Sequence, residues 1–121
     1  MDDNIIWENT YEGRHLIVKQ MSAHFMDWYC GYIQLHHDDL IALSGPTFKN
    51  ELSLNPVFSD FYGDVTFFGV LSQPVNIGIV AGFDTAHPGM EDVTLDDCIE
   101  ALTKTVDRLE KTIHGGITEN R

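Results

Sequence analysis

Apolar residues run together or alternate over four stretches of this chain, and recur at helical spacing over only one. Residues 15–21 are β-branched or apolar enough for a strand, and residues 28–35, aromatic and extended in character, predict a second. Residues 7–11 lead through Gly13 into the first of these. The segment between the two strands, residues 22–27, is short enough for a hairpin connection, so the pair is expected to be antiparallel. Residues 65–71 and 76–83 read as two more strands, with residues 72–75 turning between them. Gly78 and Gly82 fall inside the last strand, where a glycine marks a bulge, a bend or the close approach of another group. Residues 36–60 carry a weaker pattern, punctuated by Ser44-Gly45-Pro46 and Asn55-Pro56 with the polar Lys49-Asn50-Glu51 between, and read as loop.

The helical stretch is the C-terminal one. Leu95, Cys98, Ile99, Leu102, Val106, Leu109 and Ile113 recur at steps of three and four, which predicts one helix with one apolar face. Thr94 is placed to cap it with Asp97 three residues on. Asp96 and Asp97 suit the positive end of its dipole, and Gly115-Gly116 is placed to stop it. The expected architecture is an α+β domain, a mainly antiparallel sheet of four to five strands with one long C-terminal helix packed on a face.

A length of 121 residues fits one domain, residues 1–121, able to bury roughly two thirds of its unfolded surface. Nineteen acidic residues against seven basic ones leave a net charge of −12, which repels phosphate backbones and argues against direct nucleic-acid binding. The same charge suits a soluble acidic surface, or a partner with a basic groove. No run approaches the ~20 apolar residues of a membrane span, and the Met1-Asp2-Asp3-Asn4 start lacks a basic leader region, so the chain reads as cytoplasmic. Cys30 and Cys98 fit no metal or redox spacing and read as free thiols, with a bridge between them left open.

Chemistry concentrates where the last strand ends and the helix has yet to begin, in Gly82-Phe83-Asp84-Thr85-Ala86-His87-Pro88-Gly89. Asp84 and His87 have two readings. An Asp bonded to an imidazole fixes its tautomer and raises its basicity, which serves a ligand, a metal or general-base work; an Asx-turn followed by an ordinary Pro-Gly turn needs none of that. His36-His37-Asp38-Asp39 is dense in donors for a divalent metal but lacks a diagnostic spacing, and its plain reading is a solvated acidic turn. Tyr62-Gly63-Asp64 precedes a strand whose Asp64 and Thr66 would share a face, a second candidate ligand edge. Trp7, Trp28, Tyr29, Tyr32, Phe67, Phe68 and Phe83 offer stacking surfaces or simply core. Phosphate-binding loops, serine-hydrolase elbows, paired Cys-x-x-Cys and His-Glu-x-x-His motifs do not occur, and no cofactor or metal is expected.

Read together, Trp7 to Gly13, Cys30-Gly31-Tyr32-Ile33, Tyr62-Gly63-Asp64-Val65-Thr66-Phe67 and Gly82-Phe83-Asp84-Thr85-Ala86-His87 resemble a family of small proteins encoded by bacteriophages and prophages. Members carry His-Gly-Gly-Leu/Ile-Thr-Tyr, then Gly-Phe-Asp-Cys-Ala-His-x-Gly-Asp, then a C-terminal helix. This chain keeps Gly82, Phe83, Asp84, Ala86, His87 and Gly89 of the second motif, with Thr85 in place of Cys and Met90 in place of Asp. The first motif is eroded to Tyr62-Gly63-Asp64, which removes any role of its His.

The resemblance implies a phage accessory protein acting against host immunity, in the host cytoplasm, and carries no activity with it. Three readings follow. The first is a binding protein that sequesters a small, nucleotide-derived immune signal in a pocket of Asp84, His87, Tyr62, Asp64, Thr66, Phe83 and Trp28. The second is an acidic, anti-CRISPR-like inhibitor that mimics nucleic acid on a host defence protein. The third is a small hydrolase using Asp84 and His87. A small sheet with an aromatic face also suggests a homodimer.

Overall fold

The computed structural model describes residues 5–23, 26–43, 54–71 and 77–112. Five strands, β1 (Ile5–Tyr11), β2 (Arg14–Ala23), β3 (Met26–Gln34), β4 (Phe67–Val70) and β5 (Ile79–Asp84), form one antiparallel sheet in the order β1-β2-β3-β5-β4. The short helix α1 (His37–Ala42) and a 3-10 turn at Pro56–Phe58 follow β3, and the long helix α2 (Leu95–Glu110) follows β5. This is the expected α+β arrangement. The turns at 44–51 and 72–76, Ile113 and the Gly115-Gly116 stop lie outside the described residues.

Alternation along the strands divides the sheet into two faces. On one, Leu16, Val18, Ile33, Ala81 and Phe83 pack with Cys98, Ala101, Leu102, Val106 and Leu109 of α2. On the other, Ile17, Leu71 and Val80 form a smaller cluster with Ile5, Tyr32, Phe67 and Ile77 against it. Helix α2 starts as its sequence dictates. Thr94 Oγ1 accepts from the Asp97 amide at 3.1 Å and Asp97 Oδ2 accepts from the Thr94 amide at 3.0 Å. Thr105 sits in its apolar face because its hydroxyl donates to the Ala101 carbonyl at 2.8 Å. Among the described residues, no helix is long and apolar enough to cross a membrane.

Strands β3 and β5 are joined by a reciprocal exchange of glycine and aromatic residues. Gly31 lies opposite Phe83 on the helix-covered face, and Gly82 lies opposite Tyr32 on the other. A Cβ at position 31 would stand 2.7 Å from the Phe83 ring, and one at position 82 would stand 2.5 Å from the Tyr32 ring. Each glycine thus makes room for its partner's ring, and the Tyr32 ring reaches across to meet Phe67 edge-on at 5.7 Å.

Residues 36–60 correct the loop expectation, since α1 and the 3-10 turn lie there. Both are too short to show a period and are fixed by caps instead. Asn55 Oδ1 accepts from the Val57 amide at 3.1 Å. Asp39 Oδ2 accepts from the His36 amide at 2.8 Å, and the same carboxylate receives Arg14 Nε at 2.9 Å and Nη2 at 2.5 Å. Arg14 Nη1 also donates to Glu110 Oε2. Arg14 is 1 % exposed and Asp39 fully buried, so the acidic turn is not solvated at Asp39. Burial opposes the charge on Arg14, but its bonds to Asp39 and Glu110 outweigh that and raise its pKa. The pair ties the β1–β2 turn, α1 and the end of α2 into one unit.

Cys30 and Cys98 are free. Alternation puts Cys30 on the face away from α2, whereas Cys98 belongs to the core beneath it, so the sheet separates them. Burial pushes the Cys98 thiol up to about 12 and raises Cys30 as well. Because the thiolate is the reactive form, native protein treated with a disulfide reagent at pH 8 should show one slow thiol, and a second only on denaturation. Stability contributed by protonated Cys98 is complete below its ordinary value of 9.0 and is lost as pH rises toward about 12. Melting temperature should therefore decline over that alkaline range.

Candidate functional site

The end of β5 sets the site. Asp84 is the last strand residue, level with Cys30 of β3, which is level with Lys19 of β2, so the three occupy one row on the face away from α2. Beyond it the chain turns. Asp84 Oδ1 accepts from the Ala86 amide at 3.1 Å, the Asx-turn expected from sequence. Thr85 holds the turn against the sheet: its amide donates to the Tyr29 carbonyl at 2.9 Å, and its hydroxyl oxygen accepts from the Tyr29 amide at 3.0 Å. The Met90 amide then donates to the His87 carbonyl at 3.1 Å, which fixes the next bend.

His87 Nε2 lies 3.1 Å from Asp84 Oδ1. The two are off the axis of a hydrogen bond, and Nε2 is shielded from solvent with no hydrogen-bond partner among the described residues. The contact is therefore an ion contact when the imidazole is protonated, rather than a formed Asp–His bond. The ring is held by packing. Gly63, at φ +73°, presents its bare Cα, and a Cβ there would stand 3.1 Å from Nε2 and 3.2 Å from Cδ2 of His87. The two polar motifs singled out in the sequence thus meet, through Gly63 and His87. Gly63→Ala should cost about 1–2 kcal/mol for the left-handed backbone and displace the imidazole, seen as a shift of the His87 ring signals in proton–carbon NMR spectra.

The remaining predicted residues scatter. Phe83 is 1 % exposed, with its ring 4.9 Å from Phe61 and 5.7 Å from Tyr62, so it walls the core instead of facing a ligand. Tyr62 is half-buried beside it, its hydroxyl raised first by burial and then by Asp97. Asp64 is exposed and Thr66 half-buried; both precede β4, and the Thr66 amide donates to the Gly82 carbonyl at 2.9 Å. Trp28 lies opposite Met21 on the face away from α2. Of the predicted set, only His87 lines the adjoining cleft.

That cleft holds about 540 Å³ and is lined by Met26, Asp27, Thr85, Ala86, His87, Pro88, Met90 and Glu91. Met26, Asp27, Met90 and Glu91 escaped sequence reasoning because Met26 and Asp27 fall at a hairpin end that only the β3–β5 pairing brings beside the loop. Two carboxylates and no lysine or arginine are found among the described residues lining it. Among the described residues, no group of three or more His, Cys, Asp or Glu could hold a metal; of the 36–39 quartet, Asp39 caps α1 at the His36 amide and pairs with Arg14, while His37 and Asp38 are exposed. Comparison of the chain with family models, curated proteins and solved structures finds no match.

Proposed function

We propose that the chain is a phage accessory protein that binds a basic host defence protein through an acidic end and blocks it. The observation that carries this reading is the unequal fate of its charges. Three of the basic side chains are matched within the fold, Arg14 by Asp39 and Glu110, Arg108 by Asp60 at 2.7 Å, and Lys104 by Glu100 at 3.1 Å. Asp27, Asp64, Glu91, Asp92 and Asp96, around the cleft and the start of α2, stay exposed. Such a surface steers a basic partner and repels nucleic acid.

An anionic nucleotide gains no lysine or arginine from the described lining of the cleft and meets two carboxylates there, which moves weight from sequestration of a nucleotide signal toward protein contact. Thr85 is the one hydroxyl in the described lining and is buried against the Tyr29 amide, so hydrolysis by Asp84 and His87 would have to use water as its nucleophile. Tagged protein incubated with host lysate should retain a nucleic-acid-binding defence protein at low salt and release it in stages as salt is raised. Asp92→Asn/Asp96→Asn protein should release it at lower salt. Retention of nothing at low salt, or of a partner indifferent to salt and to these substitutions, would overturn the reading.

A further inference from the structure

The cleft beside His87 has a composition that the acidic surface as a whole does not share. Met26, Ala86, Pro88 and Met90 give it apolar walls, while Asp27 and Glu91 bring carboxylates from two separate elements, the start of β3 and the loop after β5. Asp27 is oriented in advance, since its Oδ1 accepts the Ser22 hydroxyl across the β2–β3 hairpin. Met90 Cε and the His87 ring both lie over Gly63, which packs this wall. A slot lined by both apolar side chains and two carboxylates matches a long side chain whose stem is aliphatic and whose head is cationic.

We infer that the cleft receives one arginine side chain of the partner protein, its stem along Met26 and Met90 and its guanidinium on Asp27 and Glu91. Arginine fits better than lysine because a planar, five-donor head can meet two carboxylates at once and lie flat on thioether and imidazole surfaces, and because it is the more weakly hydrated cation. This inference rests on the proposed inhibition of a basic protein. It adds an anchor: one specific contact within an otherwise long-range and salt-screened attraction.

The test is a titration of isotope-labelled full-length protein with acetyl-Gly-Gly-Arg-Gly-Gly-amide, followed by amide and methionine-methyl NMR signals. The citrulline peptide, equal in shape and uncharged, is the control. Saturable shifts at Met26, Ala86, His87, Met90 and Glu91, at about millimolar affinity, are expected with arginine and absent with citrulline. Asp27→Asn/Glu91→Gln should weaken binding about tenfold or more, whereas Asp38→Asn, on the exposed side of α1, should leave it unchanged; unaltered core signals report that both variants are folded. Shifts spread over the whole acidic surface, an equal response to citrulline, or no saturable binding would overturn the anchor. If the anchor fails while the salt-sensitive capture from lysate persists, the arginine pocket alone is wrong; if capture also fails, so is the inhibitory reading beneath it.

Discussion

Asp39→Ala is expected to remove about 3–5 kcal/mol of stability, the cost of breaking a buried ion pair by deleting one partner. Arg14 would remain 1 % exposed with its principal acceptor gone, and Glu110, reaching only Nη1, could not replace two carboxylate oxygens. The His36 amide would lose its cap in the same step, so α1 should loosen with it. Against a total of about 5–15 kcal/mol for an ordinary domain, this takes a large part of the margin. Asp38→Ala, one residue away and exposed, should stay within about 0.5 kcal/mol. Replacing both partners by apolar residues, Arg14→Met with Asp39→Leu, should recover much of the loss, because the main expense is the uncompensated charge. Urea unfolding of the four proteins checks all of this. A mild effect of Asp39→Ala would mean that the guanidinium reaches solvent.

The second large effect is expected at the glycine–aromatic exchange. Gly82→Ala should cost about 1–3 kcal/mol, toward the upper end for overpacking, because its Cβ would meet the Tyr32 ring at 2.5 Å and also the Gly31 carbonyl oxygen at 2.8 Å. Gly31→Ala meets only side chains, Phe83 at 2.7 Å and Leu102 at 3.3 Å. The two should therefore respond differently to rescue. Phe83→Leu should recover much of the Gly31→Ala loss, whereas Tyr32→Leu should recover only part of the Gly82→Ala loss, since the backbone contact stays. Double-mutant cycles in denaturant measure the difference. Gly82→Ala should also disturb the site, because Asp84 lies two residues on along the same strand and face.

The two effects mark where the sequence was legible. Helix α2 could be read because its apolar step of three and four and its Thr94–Asp97 cap are local signals, and the β2–β3 hairpin because its connection is short. Gly82 was marked as a place of close approach, and the ring that approaches it is Tyr32. Asp39 could not be read. Its partner Arg14 lies 25 positions away, and nothing in His36-His37-Asp38-Asp39 separates a buried acid from a solvated one until β2 and α1 are brought together. The candidate site divides in the same way. The Asx-turn at Asp84 is local, and the meeting of Gly63 with His87 follows from two motifs flanking adjacent strands. Phe83 belongs to the core because alternation places it opposite Gly31, toward α2, while Asp84 next to it faces away. The cleft's acidic lining depends on the non-consecutive pairing of β3 with β5 and left no local mark.

Charge is what sets the proposed reading apart from sequestration of a nucleotide. On that proposal the net charge of −12 and the two carboxylates of the described cleft lining would meet a cation-bearing surface rather than a phosphate. The most direct measurement is native mass spectrometry of the protein purified at low salt from host cells carrying an active defence system, before and after mild denaturation. A co-purifying basic polypeptide that raised salt removes is expected on that reading, with no small molecule released on denaturation. A bare chain that releases a nucleotide-derived anion would contradict it.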